Sequence, residues 1–414
     1  MGRIVLPAPV SGRPVFTKNN FHISTFSHFH IILSILLHQS HCMSTQQRFL
    51  ALDVFRGMTV CLMIIVNTPG DHLNTFAPLL HAKWHGFTPT DLVFPSFLFA
   101  VGNALAFVMP KWEQKGNAVV LGKIFKRTLI IFLLGYLMYW FPFFEQEHGY
   151  WSLFPVSQTR ILGVLQRIAL CYCIAALMLH FLKTRLTIII SIIILLLYWW
   201  LCFSFGDPFD PLALQGNAGY FIDKWLMGEP HMYHGEGVAF DPEGWLSTLP
   251  AVVNVVGGYL AGDFIRKNGR GYETIARLAL IGFVLVVIAY FWNFLFPINK
   301  KLWTSSFVLH TVGLDCLLLG GVIYLIDIRY STRWTGFFET FGKNPLVIYL
   351  VSELLATVLY TIEIGNESLF RWIYLHSFSF AGPYWGSLLF AIAFMLICWL
   401  VGYWMNRKKI YIRV

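Results

Sequence analysis

Residues 186–204 read LTIIISIIILLLYWWLCFS, nineteen positions without a single charge. A bilayer-spanning helix needs about 20 predominantly apolar residues, whereas a barrel strand is shorter and alternates apolar with polar positions. This run is long enough for the first and lacks the pattern of the second. Its backbone polar groups must be satisfied within the segment, which in lipid means a helix.

Comparable stretches recur on both sides of it. Ten spans follow, at about 51 to 69, 91 to 109, 127 to 143, 161 to 181, 186 to 204, 247 to 265, 275 to 296, 303 to 326, 344 to 362 and 385 to 405. The composition agrees: 57% of the 414 residues are hydrophobic, 12% are charged, and the mean hydropathy is +0.63. No soluble core absorbs that much apolar surface, so the fold class is an all-α, polytopic integral membrane bundle of about ten transmembrane helices. A soluble secreted protein, a coiled-coil scaffold and a nucleic-acid binder are disfavoured by the same arithmetic. No internal repeat and no soluble domain are evident, which weakens a transporter built on inverted repeats.

The net charge of +9 is informative through its distribution. With the N-terminus inside, the inner connections hold 19 Lys and Arg residues and the outer ones six, namely Lys83, Arg160, Lys224, Lys300, Lys301 and Arg371. Cytoplasmic loops are enriched in basic residues, so both termini are expected in the cytoplasm. Outer segments 70–90, 144–160, 205–246 and 363–384 are longer and rich in aromatic, His, Gly and Pro residues, and long loops on rigid spans often carry function.

Residues 1–42 differ from the rest. They hold five histidines and one short apolar run, Ile31 to Leu37, which is too short to span. They are expected to be a leader of no structural use, disordered or a mis-assigned start, with 43–414 as the functional membrane domain. The seven cysteines lie mostly in apolar stretches, and neither a disulfide nor a metal role is expected of them.

Ionisable groups inside spans are expensive and need a reason. Asp53 and Arg56 lie three apart on one face of the first span, and Asn67, eleven residues past Arg56, returns to within about 20° of that face. An ion pair near the inner interface with no ligand is the plainer reading of the first two; against it, Asn67 marks the outer end of the same stripe. In the fourth span Arg160 and Arg167 are seven apart with Gln166 adjoining, and a guanidinium fork suits a phosphate. Anchoring at the outer interface is the plainer reading of Arg160. The richest cluster is His81-Ala82-Lys83-Trp84-His85-Gly86-Phe87-Thr88-Pro89-Thr90-Asp91. Two histidines, an aromatic ring and an Asp at the mouth of a span suit proton transfer. His81 and His85 are spaced for Zn on a helix, but Gly86 and Pro89 argue against a helix there, and no metal is expected. Thr88 or Thr90 caps the second span.

At these residues the chain resembles a known family. Leu52-Asp53-Val54-Phe55-Arg56-Gly57-Met58, Asn67, His81 to Pro95, Arg160-Ile161-Leu162-Gly163-Val164-Leu165-Gln166-Arg167-Ile168, Asp241-Pro242-Glu243-Gly244 and Asn299-Lys300-Lys301-Leu302-Trp303 are similar, in that order, to motifs of the heparan-alpha-glucosaminide N-acetyltransferases, a family of transmembrane acyltransferases. The resemblance covers residues 44–405 and is to a compact bacterial-type member, without the luminal domain and extra first span of the animal members. It implies acetyl transfer from acetyl-CoA on the cytoplasmic side to the amino group of a glucosamine-type sugar on the other face, in a bacterial inner membrane. His81 matches the family's active-site histidine and Asn67 its nearby asparagine, while His85 stands where relatives have a polar amide. Arg56, Arg160, Gln166 and Arg167 are then candidates for binding the acetyl-CoA co-substrate; Trp84, Asp91, Asp241 and Glu243 are candidates for binding the sugar. The expected partners are an amino sugar or glycan, the lipid bilayer and, as an open option, a second copy of the chain, with no nucleic acid. An inner-membrane carrier of amino sugars such as N-acetylglucosamine is the alternative.

The orientation is directly testable. Single cysteines introduced at positions 115 and 236 should differ toward a membrane-impermeant thiol reagent in intact cells. Labelling is expected at 236, and labelling only at 115 would overturn the assignment.

Overall fold

The computed structural model describes residues 49–147 and 150–412, so the expectation for residues 1–42 lies outside the described residues. Among the described residues thirteen α-helices follow one another: α1 Leu50–Asn67, α2 Pro89–Glu113, α3 Asn117–Trp140, α4 Val164–Phe181, α5 Thr184–Phe205, α6 Ala218–Met227, α7 Trp245–Asn268, α8 Tyr272–Trp292, α9 Ser305–Ile323, α10 Thr335–Lys343, α11 Pro345–Thr361, α12 Leu369–Ser377 and α13 Pro383–Arg407. The described strands form two small antiparallel hairpins, β1 Phe144–Glu147 with β2 Tyr150–Leu153, and β3 Glu363–Ile364 with β4 Glu367–Ser368. An all-α membrane bundle is what the hydropathy required.

Eight of the described helices are long and apolar enough to cross a bilayer, and the α10–α11 pair, bent by 83°, makes a ninth. The expected span at 127–143 is the later part of α3, whose first half carries Lys123, Lys126 and Arg127. The expected span at 344–362 is one arm of the bent pair, because Asn344 leaves helical backbone and Pro345 restarts a helix at its first position. The fourth span also differs. Its helix begins at Val164, after an extended Gly163, so Arg160 lies off the helix and does not stack over Arg167. The 205–246 loop contains a helix of its own, α6, capped by the Asn217 side chain, which accepts from Tyr220 N at 2.8 Å.

Side-chain size sets which helices sit inside. α2 and α7 are the most enclosed, and they approach backbone to backbone: a Cβ at Gly102 would collide with the Val255 carbonyl, and one at Gly258 with the Phe99 carbonyl. Small residues at helix crossings are the usual device in lipid, where apolar side chains gain little by leaving the hydrocarbon. α5 and α8 are peripheral. Ile188, Ile189, Ile192, Ile193 and Leu196 of α5 and Leu280, Ile281, Phe283 and Val284 of α8 are exposed, an apolar outer surface that only lipid satisfies.

Asn67 at the end of α1 bonds α11, and the connections that lead into α2, α4, α7 and α9 meet at one cavity region through His81 with Lys300 and Arg160 with Asp241, so these helix ends lie together. The long connections lie at this end, and they build the site.

The α2–α7 crossing predicts a sharp contrast between two glycine variants. Gly258→Val should lower stability by about 1–3 kcal/mol or more through overpacking against the Phe99 carbonyl. Gly321→Ala, where nothing lies within 4 Å of an added Cβ, should be close to neutral. Thermal unfolding of the detergent-solubilised variants distinguishes the two; equal melting would refute the close approach.

Candidate active site

The site begins with the start of α2. Pro89 fits the first helical position, and Asp91 two residues later reaches back so that its Oδ2 accepts the backbone N–H of Thr88 at 3.0 Å. The same oxygen accepts Ala82 N at 3.1 Å. Thr88 adds a bond from its hydroxyl to the Leu80 carbonyl at 2.7 Å, and Thr90 one to the Pro78 carbonyl at 3.0 Å, which fix the incoming loop over the helix end. Asp91 is fully buried and its other oxygen, Oδ1, lies 2.7 Å from His81 Nδ1. With Oδ2 already accepting two backbone donors, the carboxylate is an acceptor toward the ring as well. His81 therefore carries its proton on Nδ1, and its Nε2 lone pair is turned away from Asp91, where Lys300 Nζ stands 3.1 Å from it.

The remaining wall comes from distant loops. Lys300, from the α8–α9 connection, places Nζ 3.1 Å from both ring nitrogens of His81. Removal from water holds the His81 ring below the usual imidazole range; the Asp91 bond opposes this, and the Lys300 charge reinforces it. Burial also pushes Lys300 down to about 8, against the pull of Asp91 and Glu243. Arg160 is clamped by two carboxylates: Nε and Nη2 donate to Asp241 at 3.0 and 2.6 Å, and Nη2 donates to Glu243 at 2.7 Å. Its guanidinium is sandwiched between Tyr139 and Tyr233, 5.0 and 4.8 Å from their ring centroids. Lys301 donates to Glu236 at 2.6 Å.

Two adjoining cavities open among these groups, and both are lined by His81, Glu243 and Lys300. The polar lobe, of about 690 Å³, adds Arg160, Tyr233, Glu236 and Lys301. The other, of about 530 Å³, has an apolar wall of Met63, Val66, Val93, Phe94 and Val164, and Asn67 and Thr90 line it as well. Asn67 donates to Glu353 of α11 at 3.5 Å, which ties the outer end of α1 to the bent pair.

His81, Asn67, Asp91, Arg160 and Glu243 thus line this pair of adjoining cavities, with Asp241 behind Arg160. The other sequence candidates lie outside its lining. Arg56 pairs with Asp53 at 2.5 Å, eleven residues, or about 16 Å of helix rise, from Asn67. Gln166 is fully buried beside Gly135. Arg167 is fully buried too, donating to Gly244 O at 3.1 Å and to the Ser247 hydroxyl, with its guanidinium 4.9 Å from the Trp303 ring centroid. Trp84 donates to Leu212 O at 2.9 Å and packs edge-on against Phe240, which seats the His81 loop on the 205–246 segment. His85 faces Asn299 at 3.3 Å. Lys300, Glu236 and Glu353 were missed as site residues. Glu353 had a signal, being an ionisable residue inside an expected span, and Lys300 stood inside one of the quoted motifs.

This geometry defines a class: a polytopic helical membrane protein with an imidazole held on a buried carboxylate at a cavity on one end of its bundle. Residues 48–215 match the family model described as heparan-alpha-glucosaminide N-acetyltransferase, catalytic, and four of the six quoted motifs fall within that segment. Curated relatives of that name agree. The mouse protein is 28% identical over 371 residues, covering 75% of this chain and 54% of the relative. The human protein is 29% identical over 365 residues, covering 74% and 53%. The resemblance read from the motifs is therefore borne out, and the chain spans about half the length of these relatives.

The contact between Lys300 and His81 has a measurable effect. Asp91, Glu243, Lys300 and Lys301 are the charged groups near the ring, and Lys300 lowers its pKa. Lys300→Gln should therefore raise the pH at which His81 becomes neutral. The pH dependence of His81 carbethoxylation, followed by peptide mass spectrometry, should move to higher pH; an unchanged or lower midpoint contradicts the contact.

Proposed function

We propose that this protein is a membrane-embedded acetyltransferase that moves an acetyl group from acetyl-CoA to the amino group of a glucosamine-type sugar. The observation that carries the reading is the His81–Asp91 pair, with the imidazole bound to a buried carboxylate at one nitrogen and facing the cavity and its Lys300 ammonium at the other. The reaction needs a base, because an amino sugar is an ammonium ion until it loses a proton. His81 Nε2 takes that proton, and Asp91 stabilises the imidazolium that forms. The free amine attacks the thioester carbonyl, the carbonyl oxygen becomes an oxyanion, and the carbon–sulfur bond breaks to leave the amide and the CoA thiolate. The thiolate takes up the second proton of the attacking nitrogen, which leaves the neutral amide and the CoA thiol, and the imidazolium releases its proton to solvent.

Asn67 is the proposed donor to the oxyanion. Its side-chain amide lines the same lobe as His81, and its bond to Glu353 engages only one of its two N–H groups. The apolar lining of that lobe suits the acetyl thioester, and the polar lobe suits the sugar. Arg160, held by Asp241 and Glu243, positions Glu243 at the junction between them. The acetyl donor approaches from the cytoplasmic side and both termini are cytoplasmic, a placement supported by the basic connections at the end opposite the cavity. No uptake path for unmodified sugar is needed in this reading.

Purified protein in detergent, incubated with acetyl-CoA and glucosamine, should form N-acetylglucosamine detectable by mass spectrometry. His81→Ala should lower turnover by at least roughly 100-fold, the scale of general acid–base catalysis, while acetyl-CoA still binds. His85→Asn should keep most of the activity. Uptake of unmodified sugar into sealed vesicles, with no acetylated product under any condition, would instead support a carrier.

A further inference from the structure

The charge of the cavity and of its approach distinguishes among amino-sugar acceptors, and this step rests on the acetyl-transfer reading above. Each cation in the polar lobe is engaged. Arg160 is bound by Asp241 and Glu243, Lys301 by Glu236, and Lys300 sits against His81, with Asp91 and Glu243 acting on its charge. None of these is left to receive a sulfate or a uronate. The carboxylates are less completely used. Glu243 gives Oε2 to Arg160, whereas its Oε1 has no hydrogen-bond partner among the described residues, although the side chain is only 13% exposed and lines both lobes. A part-buried, ionised oxygen facing a cavity calls for a donor, and an ammonium group supplies three.

The approach to the cavity has the same sign. The connections at its end of the bundle, residues 68–88, 141–163, 206–244, 293–304 and 362–382, hold twelve Asp and Glu against six Lys and Arg. A glycan bearing many sulfates or carboxylates meets repulsion on the way in and finds no unpaired cation at the wall. An unsulfated amino sugar, carrying positive charge, is attracted.

We infer that the acceptor is a cationic, unsulfated amino sugar or short oligomer of it, seated in the polar lobe with its ammonium against Glu243 Oε1 and next to His81, and that polyanionic glycans are excluded. Glu243 in this role is a specificity-determining residue: it holds the ammonium whose proton His81 then removes.

The test compares acceptors that share a terminal glucosamine and differ in charge. Glucosamine, a fully deacetylated chitin trimer and an N-desulfated heparin tetrasaccharide ending in glucosamine are each supplied to wild-type protein with radiolabelled acetyl-CoA, at low and high salt. At low salt kcat/KM for the cationic acceptors should exceed that for the polyanion by about tenfold or more, and it should fall several-fold as salt shortens the Debye length from about 30 to about 3 Å. The polyanion should show the opposite trend. Glu243→Gln should raise KM for glucosamine by about tenfold while KM for acetyl-CoA stays unchanged, since a neutral amide holds an ammonium less well. If this variant does not fold, the charge series on wild-type protein decides. Equal or better use of the polyanion, or rates indifferent to salt, overturns this inference and leaves acetyl transfer standing. Acetylation of none of the three overturns both.

Discussion

The Asp91 carboxylate organises this end of the molecule. Placed in the first turn of α2, it satisfies the backbone of Ala82 and Thr88, benefits from the positive end of the helix, and still has one oxygen for His81. One side chain thereby closes a helix end, folds the preceding loop back onto it and selects the imidazole tautomer. Each role depends on the others. Without the two backbone donors, Asp91 would be a costly buried charge, and without Asp91 the His81 ring would have no fixed orientation.

The rest of the bundle explains why such a loop can be held rigidly. α2 is locked to α7 along a seam of glycines where the two backbones touch, so the end of α2 that bears Asp91 is anchored through the middle of the protein. The next layer, from the 205–246 segment and the α8–α9 connection, is pinned by Trp84 on Leu212 and by Asn299, whose Oδ1 accepts Leu302 N at 2.9 Å. Arg167, buried between the start of α7 and Trp303, ties α4 to both. It acts as a structural brace, and its charge is used on a carbonyl, a hydroxyl and an aromatic face.

Much of this was legible in the sequence, for identifiable reasons. Hydropathy forces helices because lipid offers no other partner for the backbone, and the α1 stripe from Asp53 to Asn67 follows from helical periodicity alone. The ion pair of Asp53 with Arg56 is the plainer of the two readings the sequence allowed. Periodicity failed where it was applied outside a helix: Arg160 precedes α4, so its distance in sequence from Arg167 says nothing about its direction. The bend at Asn344-Pro345 was written in the dipeptide but hidden by the apolar residues around it. Lys300 meets His81 across 219 residues, a juxtaposition created by loop folding, which no local pattern encodes.

The exposed apolar faces of α5 and α8 carry a consequence for the membrane itself. With 22 and 21 residues, these helices rise about 33 and 32 Å, close to the hydrocarbon thickness of an ordinary bilayer at small tilt. In a thinner bilayer a long hydrophobic stretch tilts or distorts the lipid around it, at a modest cost per ångström. α2 and α7 are fixed to each other at their glycine seam, and α8 to α9 where Gly282 meets Gly313, so such pairs adjust as units and the loops at their ends move with them. One of those loops, following α8, carries Lys300. That loop is the link within one such pair, so the ammonium group beside the His81 ring rides with α8 and α9 together.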